Sequence, residues 1–146
     1  MTIYFYTVGG DYGEFSNFSR HGFQIDGKYW KTSEHYFQAM KFEGTEYEDK
    51  IREARSPKDA ANLGRRRDFP LRKDWEDVKD DFMRQAVLTK FKTHQELSDL
   101  LRSTGNTPIV ENAPSDYYWG CGQDGSGKNM LGKILMEVRD ILNNSD

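Results

Sequence analysis

The segment Trp30-Lys31-Thr32-Ser33-Glu34-His35-Tyr36-Phe37-Gln38-Ala39-Met40-Lys41-Phe42 decides how this chain is read. Thr32 or Ser33 offers a side-chain oxygen to the first N–H groups of a helix, and Tyr36, Phe37 and Met40 recur at helical spacing. Glu34, Gln38 and Lys41 then fall along a different stripe. Upstream, Phe23-Gln24-Ile25, Asp26-Gly27 and Lys28-Tyr29-Trp30 read as a hairpin, because Asp-Gly tolerates the positive φ of a tight turn. Residues 3–7 read as a strand, followed by the turn-rich Gly9-Gly10-Asp11-Tyr12-Gly13. Downstream, Ser56-Pro57 and Gly64 bracket a short helix. Asp74 opens the longest helix, with Trp75, Val78, Phe82, Ala86 and Phe91 near 3.6-residue spacing. Thr93-His94-Gln95-Glu96 is a capping box for a helix with Leu97, Leu100 and Leu101 inward. Residues 107–111 form a second strand region. Asn129 caps a last helix whose Leu131, Ile134, Leu135, Val138, Ile141 and Leu142 make one apolar face. The predicted fold class is α+β: a single domain over residues 1–146, mainly helical, with a small sheet.

Composition narrows the function. At 146 residues, 36% hydrophobic and 14% aromatic, the chain has the length of one domain and enough apolar material for a core. No apolar run approaches the roughly 20 residues that cross a bilayer, and the N-terminus lacks a signal-peptide pattern. The expected location is cytoplasmic, with no membrane partner. One cysteine, Cys121, makes no internal disulfide, and the histidines at 21, 35 and 94 lack metal-ligand spacing, so no metal site is expected. The net charge is -3, but residues 50–73 carry nine basic side chains against three acidic ones, a local +6. That stretch is either a solvated basic face or a local dock for an anion. The oligomeric state is not legible.

Three clusters bear chemistry. Glu34 and Lys41 lie seven residues apart, nearly two turns along one side of a helix, so they either face one pocket or are solvated surface charges. Near the helix N-terminus the dipole favours the charged form of Glu34, which suits base or charge-stabilising work. A lysine beside apolar rings is desolvated toward a usable nucleophile. Gly122-Gln123-Asp124-Gly125-Ser126-Gly127-Lys128-Asn129 fits G-x-x-x-x-G-K but places Asn where a nucleotide-binding loop needs Ser or Thr for magnesium. What survives is an expectation that backbone N–H groups here approach a phosphate; the alternative is a flexible surface loop. Third, Asp116-Tyr117-Tyr118-Trp119-Gly120 combines an acid with rings that either stack on a base or cover the edge of the core.

Taken in order, Phe15-Ser16-Asn17-Phe18, the Thr32–Phe42 block, Ala61 to Gly64-Arg65, Asp74-Trp75, Met83, Lys90-Phe91, Ile109-Val110-Glu111, Asp116, Trp119-Gly120-Cys121-Gly122, Gly127-Lys128-Asn129, Leu131-Gly132 and Met136 resemble the NADAR, or YbiA-like, family from end to end. The resemblance implies a domain that cleaves N-glycosidic bonds without metal or redox cofactor. Its implied catalytic residues are Glu34, Lys41 and Asp116. Its implied pocket residues are Trp119 and, beside it, Asn17, Trp75, Gly120, Gly122 and Asn129; for such a substrate Trp75, Tyr118 or Trp119 would stack on the base, and Arg65 and the 122–129 loop, Lys128 included, would hold a phosphate. The implied substrates are ADP-ribosylated guanine, as nucleotide or DNA, or the ribosylamino-pyrimidine phosphates of riboflavin biosynthesis. A non-catalytic module that binds NAD or ADP-ribose is the alternative. Two routes fit such substrates: an oxocarbenium-like route with Glu34 and Asp116 as paired carboxyl groups, and a Schiff-base route through Lys41, which is preferred because Lys41 lies inside the resembling block.

Overall fold

Asp26 and Gly27 adopt φ of 53° and 80°, the left-handed pair that the hairpin reading requires, and the computed structural model, which describes residues 1–145, builds outward from this turn and its counterparts. Along the chain the elements run β1 (Ile3–Phe5), a 3-10 turn (Gly13–Phe15), β2 (Phe23–Ile25), β3 (Lys28–Trp30), α1 (Ser33–Met40), α2 (Glu46–Arg52), α3 (Pro57–Arg65), α4 (Trp75–Thr93), α5 (Gln95–Ser103), β4 (Ile109–Glu111) and α6 (Met130–Asn143). The class is α+β and helix-rich, with two two-stranded sheets. The chain divides into two compact units, Arg20–Lys90 and Met1–Ser19 with Phe91–Asp146, and each is described by itself.

In the 20–90 unit β2 and β3 pair antiparallel, Phe23 opposite Trp30 and Ile25 opposite Lys28. Thr32 is the N-cap of α1, its hydroxyl accepting from the His35 N–H. Helix α1 packs against α2 and α3 and every one of its residues is buried, so its polar members must find partners inside. Tyr36 meets Trp30 edge-on at 5.1 Å and Phe82 at 6.2 Å. Helix α2 has no counterpart in the sequence reading: only Tyr47 and Ile51 are apolar among its seven residues, too few for a periodic signal, and its formation follows instead from the Thr45 cap and the acidic first turn Glu46, Glu48, Asp49. Ser56 caps α3 through the Asp59 N–H and Pro57 takes the first turn, as expected. Gly64, expected to close α3, lies one residue inside its end and has a further use at the site.

In the other unit β1 and β4 pair in parallel, Ile3 opposite Ile109 and Phe5 opposite Glu111, and α6 packs on β4 and α5. The strands are shorter than the 3–7 and 107–111 expectations. Two caps differ. Helix α4 continues through Thr93, so the N-cap of α5 is His94 with no side-chain cap bond, and the expected capping box is absent because Thr93 is still helical. Ile141, expected inward, is 42% exposed, since the buried face of α6 runs through Leu131, Ile134, Leu135, Val138 and Leu142.

Asn129 sits at the N-cap of α6 with φ 53° but makes no side-chain cap bond. Its carbonyl oxygen accepts from the Glu111 N–H at 2.9 Å and its amide donates to the Ile109 carbonyl at 2.9 Å. The side chain thus does for β4 what a neighbouring strand would do, and Gly132 leaves the room: a Cβ there would come within 2.4 Å of Asn129 Nδ2. Asn129→Ala removes two hydrogen bonds of about 1 kcal/mol each and puts an alanine in the left-handed region. A loss of about 2–4 kcal/mol in denaturant unfolding is expected, with Asn129→Gly milder because the backbone strain is relieved.

Candidate active site

Helix α1 carries the site because it delivers Glu34, Gln38 and Lys41 successively into one interior. Glu34 is 8% exposed, Gln38 5% and Lys41 7%. The surface-charge alternative is therefore excluded for this pair. Gln38 Nε2 donates to Glu34 Oε2 at 2.7 Å. Lys41, at the C-cap of α1, donates its Nζ–H to the Gly64 carbonyl at 3.3 Å and lies 5.9 Å from the Trp75 ring centre. Burial, reinforced by the nearby positive charges of Arg67, Arg65 and Lys79 and opposed by Glu34, lowers the lysine from the ordinary 10.5 to about 8. A buried ammonium sheds its proton readily because the low-dielectric surroundings penalise the charge.

The supporting residues have clear causes. Gly64 accepts from both Lys41 and Arg67, the latter at 2.8 Å. A Cβ on Gly64 would stand 2.0 Å from Gln38 Oε1, so only glycine leaves this amide its place. Gln38 Oε1 itself is buried with no hydrogen-bond partner, a state that costs about 1–3 kcal/mol in a folded protein. His35 is a core histidine: Thr32 Oγ1 meets its Nδ1 at 2.7 Å and its Nε2 meets the Ala54 carbonyl at 3.0 Å. Burial lowers its pKa, and the neutral ring fits both contacts, Nε2–H donating to the carbonyl and Nδ1 accepting from the hydroxyl.

Trp75, expected to stack on a base, is 5% exposed. Its ring lies 6.1 Å from Phe82 in a stacked arrangement and 5.0 Å from Phe37. It is an apolar wall that desolvates Lys41, because its faces are already taken up by protein rings. Arg65 is exposed and reaches Asn62 at 3.4 Å. Three of the nine basic side chains of residues 50–73 are held in ion pairs: Arg66 pairs with Asp68, Arg72 with Asp74 and Glu43, and Arg52 with Asp49. Lys50 and Arg55 line a cleft of about 440 Å³ together with Glu53 and Asp59, so the charge there is mixed.

The remaining predicted residues belong to the other unit. Asp116 Oδ1 accepts from the N–H groups of Tyr118 at 3.0 Å and Trp119 at 2.8 Å, an Asx-type turn that sets the two rings edge to face at 4.9 Å. Lys128 Nζ lies 5.4 Å from the Tyr118 ring centre. The turn thus assembles Asp116, Tyr118, Trp119 and Lys128. Asn17 is buried in the polar turn after Phe15.

The glycine-rich loop corrects the phosphate-cradle expectation. The N–H groups of Cys121, Gly122, Gly125, Gly127, Lys128 and Asn129 are donated to loop and strand carbonyls, and those of Gln123 and Ser126 to Tyr117 Oη and Asp124 Oδ1. Few donors are left to converge on an anion. The glycines serve close packing instead: Gly122, at φ 72°, lies under the Tyr117 ring, and a Cβ on Gly120 would meet Ala113 Cβ at 2.8 Å.

The NADAR domain model matches residues 4–143. The chain belongs to the NADAR family. The match takes in both compact units as one NADAR domain. N-glycosidase YbiA of Escherichia coli strain K12 is 51% identical over 140 residues, 96% of this chain and 88% of that protein. Its NMR structure superposes with a TM-score of 0.90 at 50% identity, covering 97% of this chain and 84% of the other. A second relative, the chloroplastic riboflavin biosynthesis protein PYRR of Zea mays, is 42% identical over 94% of this chain, which corresponds to 24% of that longer protein. With this degree of likeness over nearly its whole length, the NADAR chain is a hydrolase acting on N-glycosyl bonds, and the reading as a purely binding module gives way.

The sequence reading set Gln38 on the stripe of Glu34 and Lys41 but gave it no role, and it missed the double use of Gly64. The signal for Gln38 was present: residues 34, 38 and 41 follow the i, i+4, i+7 rule of one helix face. For Gly64 none was present, since glycine near a helix end ordinarily reads as a stop.

Proposed function

We propose that this N-glycosyl hydrolase releases ADP-ribose from the exocyclic amino group of guanine, in nucleotide or DNA, through a Schiff base on Lys41. One observation carries the reading: a buried lysine, held on a backbone carbonyl against an indole, stands on the same helix as a buried carboxylate. An exocyclic amino nitrogen on ribose C1 permits the sugar ring to open, the C1–O4′ bond breaking as O4′ takes a proton from solvent to become a hydroxyl, which leaves a C1–N iminium; the proton is given back when the ring recloses. Neutral Lys41 Nζ adds to C1; a proton moves from Nζ to the guanine nitrogen; the C1–N bond to guanine then breaks and leaves Lys41 joined to C1 as an iminium. Water adds to C1, the Lys41–C1 bond breaks, and the sugar recloses. Glu34 stabilises the cationic carbon and takes the proton of the attacking water. The net reaction consumes one water and needs no cofactor.

Asp116 enters as a second acid from the family resemblance, and Tyr118, Trp119 and Lys128 as candidate contacts for the base and phosphates. Asp116→Asn keeps the Oδ1 acceptor for the turn, so a loss of turnover with an unchanged unfolding midpoint is the expected result. A second reading, release of ribose 5-phosphate from ribosylamino-pyrimidine phosphates, is favoured by the name of the maize relative. The test offers both substrates to the enzyme side by side and follows free ADP-ribose and ribose 5-phosphate by mass spectrometry. Free ADP-ribose with unmodified guanine is expected; ribose 5-phosphate alone would move the enzyme to the second reading. If DNA is the carrier, the apparent KM rises with salt, because the contact runs through the exposed cations of residues 50–73.

A further inference from the structure

We propose that Gln38 and Gly64 are positioning residues that hold Glu34 and Lys41 on separate partners and so keep the two from collapsing into a direct ion pair. This rests on the reading of Glu34 and Lys41 as the reacting pair. Opposite charges buried in one interior attract, and the low dielectric there strengthens the attraction. Here each is engaged elsewhere. The Gln38 amide donates to Glu34 Oε2 at 2.7 Å, and Lys41 Nζ donates to the Gly64 carbonyl at 3.3 Å. The two holding groups also touch each other. Gln38 Oε1, buried and unpartnered, occupies the space that a side chain on Gly64 would fill, with the virtual Cβ 2.0 Å from Oε1 and 2.9 Å from Gln38 Cβ. An amide turned the other way would put Oε1 against the carboxylate and lose the bond. The orientation is therefore fixed by Glu34 on one side and by the bare glycine on the other.

The consequence is chemical. A Lys41 ammonium paired directly with Glu34 would keep its proton and be no nucleophile, and the carboxylate would lose its lone pair to the ammonium. The charges facing Lys41 are Glu34 from α1, Arg65 at the end of α3, Arg67 just beyond it, and Lys79 from α4. Burial is the largest influence on the lysine, followed by Arg67; among these charges Glu34 alone favours the protonated amine, so bringing it closer to Nζ opposes the lowering.

The experiment titrates Lys41 by NMR in protein labelled at the lysine ε-carbon, alongside the pH profile of kcat/KM on ADP-ribosylated guanine nucleotide. Gln38→Met has the reach of the parent without the amide. Gly64→Ala pushes the amide off without altering either polar group. In both, the Lys41 midpoint is expected to move up from about 8, and kcat/KM at pH 7 to fall by roughly tenfold or more. In a Gln38→Ala background, which vacates the contested space, adding Gly64→Ala should cost nothing further. A midpoint that stays near 8 in both single variants, or fully additive losses in the double, overturns the proposal. Lys41→Ala is the control: if it retains turnover the site assignment fails, while the NMR titration still judges the positioning.

Discussion

Lys41→Met is expected to be inactive and, at pH 7, more stable than the parent. Activity goes first. On the Schiff-base route the nucleophile is the amine itself, and removing a covalent nucleophile costs on the order of 10⁴-fold or more in kcat. With a midpoint near 8, about one Lys41 in ten is neutral at pH 7, against about one in three thousand for an ordinary lysine. Burial thus makes the nucleophile, and the same burial is a liability to the fold. The lysine titrates near 8 in the folded protein and near 10.5 when exposed. Between those values the unfolded chain binds the extra proton, so stability rises with pH across that window, and below about 8 the whole penalty is present. The difference corresponds to about 3 kcal/mol; after allowance for relaxation and for the Gly64 bond, a gain of about 1–3 kcal/mol in urea unfolding at pH 7 is expected for a buried methionine. The gain should shrink toward pH 10. Borohydride reduction during turnover should attach ADP-ribose covalently to the parent and leave the variant unlabelled. A variant that is inactive and also destabilised at pH 7 would mean that Lys41 serves the fold rather than the reaction.

The helix that carries this lysine was legible because its cap and its rings follow local rules: Thr32 accepts from the third residue on, and Tyr36, Phe37 and Met40 share a face. What local rules could not reveal is that the opposite face is buried as well. That depends on α3, whose Gly64 packs on Gln38 and accepts from Lys41, and on α2, which also packs on α1 and is the element whose two apolar residues gave no periodic signal. The glycine-rich loop failed in the opposite sense. Its spacing suggested donors aimed outward, but whether an N–H is available is a question of tertiary hydrogen bonding, and here Tyr117, Tyr118 and Trp119 offer carbonyls that consume the amides of Lys128, Met130 and Leu131. Asn129 shows the same limit. Its position at a helix start is a sequence property, whereas its use as a substitute strand edge for β4 depends on Gly132 packing on Ile109. Features set by neighbours within four residues were readable, and features set by what the chain folds against were not.

Glu34→Gln separates electrostatics from shape. The substitution is isosteric, and the new amide oxygen can still accept from Gln38 Nε2, so the unfolding midpoint should move little. Turnover should fall about 10²- to 10⁴-fold, the usual cost of losing a positioned general base or charge stabiliser. Its effect on Lys41 has a definite sign. Glu34 raises the lysine's pKa, whereas burial, Arg67, Arg65 and Lys79 lower it; removing the carboxylate charge leaves only the lowering influences, and the Lys41 midpoint falls below about 8. The residual kcat/KM should therefore reach its plateau at lower pH than the parent's, even though the plateau itself is far lower. The two effects are read in one titration of kcat/KM against pH. A plateau displaced to higher pH would show that the carboxylate is not among the charges Lys41 feels, and a variant with parental turnover would remove Glu34 from the chemistry. With Lys41→Met the pair forms a closed test: one variant deletes the nucleophile and relieves the fold, while the other leaves the nucleophile more easily deprotonated and still slow, which is the outcome expected only if bond making and charge stabilisation reside on different side chains of the same helix.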